Sequence, residues 1–136
     1  MIRPIEKDQL FLQQKAALAT PADRQVIQDL QDTLAANATR CVGMAANMIG
    51  VLKRIIIVQM GPLPVVMVNP QITKASGQYQ TTEGCLSLDG ERPAKRYDHI
   101  TVRYQDAQFR PHTQQFTGFV AQIIQHELAH CDGVLI

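Results

Sequence analysis

Two histidines stand four residues apart with a carboxylate beside the first, in the run His126-Glu127-Leu128-Ala129-His130. On a helix, residues at i and i+4 have Cβ atoms about 5–6 Å apart, so both imidazoles can meet one divalent metal. Glu127 can then reach a water at that metal and act as general acid or base, which favours metal-assisted hydrolysis. Ordinary polar residues on a half-buried helix are the competing reading of this motif by itself. Two histidines leave a catalytic metal one protein ligand short. Only six residues follow His130, so the third ligand is expected from upstream. Cys85 is the candidate: it lies in Glu83-Gly84-Cys85-Leu86-Ser87, where glycine permits close backbone approach and a thiolate suits a soft or borderline divalent ion. A buried, inert thiol is the alternative.

The elements that must position these groups are an N-terminal helix, a mostly antiparallel sheet and a C-terminal helix. Residues 20–38 read as a helix: Thr20 suits an N-cap, Pro21 the first helical position, and Val26, Ile27, Leu30 and Leu34 share one face. Residues 9–18 carry helix formers in a looser pattern. Strands are expected at 54–59 and 65–69, joined by a turn at Gly61, Pro62 and Pro64, and again at 71–74, 78–82, 100–104 and near 114–116. Turns are expected at Ala75-Ser76-Gly77 and around Asp106. From Gly118 the pattern is helical, with Phe119, Ile123, His126 and His130 on one face and Gly133 as the stop. The fold class is therefore α+β, a mostly antiparallel sheet packed around the H-E-x-x-H helix, in one domain over residues 1–136.

Composition narrows the field. The 136 residues are 46% hydrophobic and 18% charged, with 13 Lys and Arg against 12 Asp and Glu. A chain of this size can bury a core without a disulfide or structural metal, so a metal here is expected to serve chemistry. The near-neutral balance, without basic runs, gives no footprint for nucleic acid or an acidic membrane. Three cysteines cannot all pair, no apolar run approaches the roughly 20 residues of a membrane span, and the first residues lack an export signal's apolar core. A cytoplasmic protein is expected.

The ordered set Gly43-Met44-Ala45-Ala46, Glu83-Gly84-Cys85-Leu86-Ser87 and Gln125-His126-Glu127-Leu128-Ala129-His130 resembles the three motifs of the peptide deformylase family. Ile49-Gly50, residues 53–56 and Val68-Asn69-Pro70 extend the resemblance over nearly the whole chain. It implies a metalloenzyme, commonly with iron(II), that removes the formyl group from N-terminal formylmethionine of nascent peptides at the ribosome; zinc, nickel or cobalt are also compatible with the donors. It further implies that Cys85, His126 and His130 hold the metal, that Glu127 is the general acid/base, and that the Leu86 backbone N–H is an oxyanion donor. Val42, Phe119 and Ile123 would line a pocket for the methionine side chain, with the backbone near Gly43 pairing to an extended peptide. Ordinary core packing is the competing reading for those three residues. Arg92 or Arg96 could steer substrate, but each reads more readily as a solvated surface charge. Cys131, His99 and His112 receive no role.

Four positions depart from the family's usual motifs. Cys41 replaces a glycine, Met44 a leucine, and Met48 the glutamine whose amide helps hold the formyl oxygen; Ala129 replaces an aspartate common before the second histidine. A thioether cannot donate a hydrogen bond, and losing one oxyanion donor costs about 2.7–4 kcal/mol, or roughly 10²–10³ in rate. The adjacent Asn47 could substitute only after a local shift. The expectation is a deformylase of reduced activity. Its rivals are a non-catalytic, deformylase-like peptide-binding protein and, on the helix motif alone, a zinc endopeptidase.

Overall fold

The computed structural model describes residues 1–136. Its elements run in the order α1 (Gln9–Leu12), a 3₁₀ turn (Pro21–Asp23), α2 (Arg24–Ala36), β1 (Gly43–Ala45), a second 3₁₀ turn (Ala46–Ile49), β2 (Ile55–Met60), β3 (Leu63–Cys85), β4 (Leu88–Gln105), β5 (Pro111–Thr117) and α3 (Gly118–Cys131). The five strands form one antiparallel sheet in the order β1-β2-β3-β4-β5. No helix is long and apolar enough to cross a membrane.

Strand β2 shows why the helices lie where they do. Its Ile55-Ile56-Ile57-Val58 run is fully buried on both faces. Successive side chains alternate sides. Ile56 and Val58 accordingly join the core containing Ile124 and Leu128 of α3, while Ile55 and Ile57 join the one containing Leu30 and Leu34 of α2. Each such side chain contributes about 1.5–3 kcal/mol through burial, which presses one helix onto each side of the sheet. The start of the α2 segment is set by Thr20, whose side chain accepts from the Ala22 N–H while Asp23 accepts from the Thr20 N–H.

The α+β class holds, with local corrections. Residues 9–18 yield only the four-residue α1, and the segment expected as a helix over 20–38 divides into a 3₁₀ turn and α2, which ends at Ala36. The expected turn at Ala75-Ser76-Gly77 is absent: β3 runs straight through, with Ala75 opposite Ile100, Ser76 opposite His99 and Gln78 opposite Tyr97. Pairing along a long two-stranded ribbon overrides the small-residue turn signal, and the strands read separately over 65–82 merge into one. The same ribbon makes residues 88–99, which the sequence pattern left unassigned, the first part of β4. The turn around Asp106 lies where expected, between β4 and β5.

Helix α3 ends at the predicted glycine. Gly133 has φ +77°, and a β-carbon added there would overlap the Gln13 carbonyl, so a side chain would be strained in backbone and clash with its neighbour. Gly133→Ala is expected to cost about 2–4 kcal/mol, measured as a lowered urea midpoint with an unchanged slope.

Candidate active site

The long β3–β4 hairpin and α3 meet at the hairpin's tip. Cys85 is the last residue of β3, paired with Leu88 across the two-residue turn Leu86-Ser87. Helix α3 presents His126 and His130 to it. The His130 Nε2 lies 3.2 Å from the Cys85 Sγ and 3.2 Å from the His126 Nε2. The three donor atoms all lie within 4.8 Å of one another. Two ligand nitrogens each roughly 2.0–2.1 Å from a shared tetrahedral ion would stand about 3.3 Å apart, so this spacing fits a metal. A thiolate and two imidazoles also suit a borderline divalent ion chemically. The buried Glu127 Oε1 has no hydrogen-bond partner within the protein, as expected of a group aimed at a ligand.

Glu83 holds this arrangement together. Its Oε1 lies 2.8 Å from the His126 Nδ1, so a proton on Nδ1 leaves the Nε2 lone pair facing Cys85 and His130. Arg96 donates to both carboxylate oxygens, from Nη2 at 2.7 Å and from Nε at 3.0 Å, and the Gln122 amide donates at 2.8 Å. Burial alone would raise the Glu83 pKa, but the hydrogen bonds from His126, Arg96 and Gln122 outweigh it and bring it to about 2. Burial pushes Glu127 up to about 7, against the pull of His126, and pushes His130 down to about 3, helped by His126 and Arg96. Arg96 is thus a buried partner of Glu83, which corrects its reading as a surface charge; Arg92 is half-buried and donates to the Asp89 carbonyl.

A cavity of ≈ 470 Å³ opens over these groups. Cys85, His126 and Glu127 line it, together with Leu86, Val42, Gly43, Phe119 and Ile123. His130 lies behind its wall, with no exposed surface. Ile123 is both cavity wall and core, whereas Phe119, 63% exposed, and Val42, 43% exposed, stand at the mouth. A β-carbon added to Gly43 would come within 2.9 Å of the Glu127 Oε2 and 2.7 Å of the Ile123 Cγ2. The glycine is needed because β1 passes directly over the carboxylate.

Comparison with known proteins decides what this arrangement belongs to. Residues 2–136 match the family described as polypeptide deformylase. The chain is 55% identical to a peptide deformylase of Clostridium beijerinckii over the full length of both, and 38% identical to one from Thermomicrobium roseum, covering 91% of this chain and 77% of that one. The fold superposes with a TM-score of 0.89 on a class I type b peptide deformylase of Acinetobacter baumannii with Met-Ala-Ser bound, at 30% identity, covering 99% of this chain and 97% of that one. The chain belongs to the peptide deformylase family. It is a metal-dependent hydrolase that removes the N-formyl group from formylmethionine at peptide N-termini, and the non-catalytic alternative is not favoured.

The departures from the deformylase motifs have distinct structural results. Met48 is 1% exposed and lies on the cavity wall, where its Sδ accepts from the Ala45 N–H at 3.5 Å. A glutamine oxygen there could take the same N–H and leave its NH₂ free to donate; the thioether keeps only the accepting half. Asn47 does not take its place, because its amide donates to the His130 carbonyl at 2.9 Å and it does not line the cavity. With Ala129 before it, the buried His130 Nδ1 has no hydrogen-bond partner. Met44 is fully buried in the core shared with α2, a mild exchange for leucine.

Reading from sequence assigned Glu83 and Gln122 no role and misread Arg96. Two carried a usable signal: Glu83 is two residues before Cys85 on a strand and Gln122 four before His126 on a helix, spacings that share a face with a ligand. Arg96 is reached only through strand pairing. Arg96→Ala is expected to weaken metal affinity about 10–100-fold, measured by competition against a chelator, because Glu83 would lose its main partner and His126 its fixed orientation. Gly43→Ala, which displaces Glu127 without touching the three donor atoms, should instead leave metal content unchanged and reduce formate release at least tenfold.

Proposed function

We propose that Cys85, His126 and His130 hold one divalent metal, iron(II) in the cell, and that Glu127 moves the proton during deformylation of nascent chains. The observation that carries this reading is the convergence of the three donor atoms at a cavity wall with the unpartnered Glu127 oxygen beside them. Zinc, nickel and cobalt also suit the donor set. Residues 1–136 act as one domain, and the proposed setting is the cytoplasm, on peptides emerging from the ribosome.

The bound metal supplies Lewis acidity, lowering the pKa of a water and polarising the formyl carbonyl. Glu127 takes the proton that water gives up as it adds to the formyl carbon. Its burial raises its pKa to about 7, which suits a group that must accept a proton and return it near neutrality. It then delivers that proton to the departing amine as the carbon–nitrogen bond breaks, so formate and a free N-terminus result. The Leu86 N–H, at the hairpin turn, donates to the oxygen that gains charge. Val42, Phe119 and Ile123 hold the methionine side chain in the cavity mouth. The peptide beyond it extends along the free edge of β1 at Gly43, as an added strand. Met48 supplies no donor to the formyl oxygen, so turnover is slower than in a deformylase with glutamine there.

Anaerobic reconstitution with iron(II), followed by a formate assay on formyl-Met-Ala-Ser, tests the reading. Glu127→Ala should lose about 10²-fold or more in turnover while still binding about one metal per chain. Met48→Gln should gain tenfold or more, up to about 10²–10³. Metal bound by a Cys85→Ala variant as tightly as by the parent would refute the ligand set.

A further inference from the structure

Positions 41 and 48 both carry sulfur, and both sulfur atoms engage the open edge of β1. The Val42 carbonyl accepts from the Gln59 N–H at 2.8 Å, so residues 42 and 59 form a hydrogen-bonded pair. Gly43 pairs with Val58 and Ala45 with Ile56 in the same register. Antiparallel alternation therefore turns the N–H and C=O groups of Gly43 and Ala45 away from β2. Strand β1 is the end of the sheet, so these groups face its free edge, a template for strand addition. There the Cys41 Sγ donates to the Gly43 carbonyl at 2.8 Å, and the Met48 Sδ accepts from the Ala45 N–H at 3.5 Å. Side chains of this protein thus already occupy backbone groups that an added strand would use.

The two contacts differ in how easily they yield. Met48 is buried among Leu30, Ile49 and Ile57, so its sulfur is held by packing. Cys41 lies outside any helix or strand, half-buried on the cavity wall, on a side chain with a single rotatable carbon–carbon bond. A thiol is a weak donor and rotates far faster than an enzyme turns over.

We propose that Cys41 is a positioning residue that caps the Gly43 carbonyl and must swing off it before a formyl peptide can dock along β1. This rests on the edge-docking reading above. The cap competes with substrate for one acceptor and touches no reacting atom, so it raises KM and leaves kcat alone. Because the acceptor is a main-chain carbonyl, the competition is independent of the peptide's side chains.

The test measures KM and kcat for formyl-Met-Ala-Ser on the iron(II) enzyme, its Cys41→Ala variant and its Cys41→Ser variant, with the Kd of Met-Ala-Ser as a second readout. Removing the cap with alanine should lower KM about threefold and Kd in parallel, with kcat within about twofold. Serine keeps a donor, a stronger one, and should hold KM at or above the parent value. If alanine and serine move KM together, or neither moves it, the cap is refuted and Cys41 is packing. Two depsipeptides, with an ester in place of the Met–Ala or the Ala–Ser amide, separate this from failure of edge docking, because each lacks one N–H. When the Cys41→Ala enzyme penalises one of the esters, docking stands, and the gap between parent and variant should close for that ester. Equal KM for the amide and both esters in that variant would overturn edge docking and the cap with it.

Discussion

The buried carboxylate of Glu83 is the constraint on which the rest of the site depends. An ionised group removed from water costs several kcal/mol unless it is fully paired, and here its two oxygens receive Arg96 twice, Gln122 and the His126 ring. Those partners come from β4 and from two turns of α3, while Glu83 itself belongs to β3. One group therefore fixes the angle between the hairpin and the helix, and does so two residues from the thiol that must meet both imidazoles. Breaking the pair from one side leaves an uncompensated charge, which is why the arrangement is all-or-none rather than adjustable.

Apolar packing brings the parts near enough for that carboxylate to act. Ile56 and Val58 of β2 press α3 onto one face of the sheet, and polar contacts then set its rotation. The Gln125 side chain accepts from the Tyr97 N–H at 2.8 Å and donates to the Tyr97 carbonyl at 2.7 Å, clamping α3 to the main chain of β4. At the other end Asn47 holds the His130 carbonyl. With the helix fixed in rotation, Glu127 has one place to go, under Gly43, where no side chain intervenes. Catalytic geometry of this kind is held by main-chain and buried polar contacts, which tolerate little change in position.

Much of this was legible in the chain, and what escaped did so for physical reasons. The histidine pair, Glu127 and Cys85 announce themselves because periodicity and ligand chemistry are local properties. Thr20 and Gly133 are legible for the same reason: caps and stops are set by the residue itself. The ribbon from Leu63 to Gln105 was not, since Ala75-Ser76-Gly77 carries a turn composition that only pairing with Ile100 and His99 overrules. Arg96 was misjudged because a charge on a strand looks solvent-facing until the partner strand and the covering helix are known. Asn47 could replace the missing amide only after a local shift, and the partner that holds it in place lies 83 residues away in sequence, out of reach of any local pattern.

The sulfur at position 48 shows how a motif can change without the scaffold failing. A glutamine in that pocket would satisfy the Ala45 N–H with its oxygen and offer its nitrogen to substrate. Methionine fills a similar volume, remains buried, and still accepts from Ala45, so β1 keeps its course over Glu127. What is lost is a donor that matters only when an oxygen is gaining charge. On the proposed mechanism the loss falls on the transition state: methionine keeps its place in the buried core, and neither the three donor atoms nor the Glu83 network includes residue 48. On the proposed mechanism, a substitution confined in this way would lower the rate of the reaction while leaving intact the structure that identifies the family.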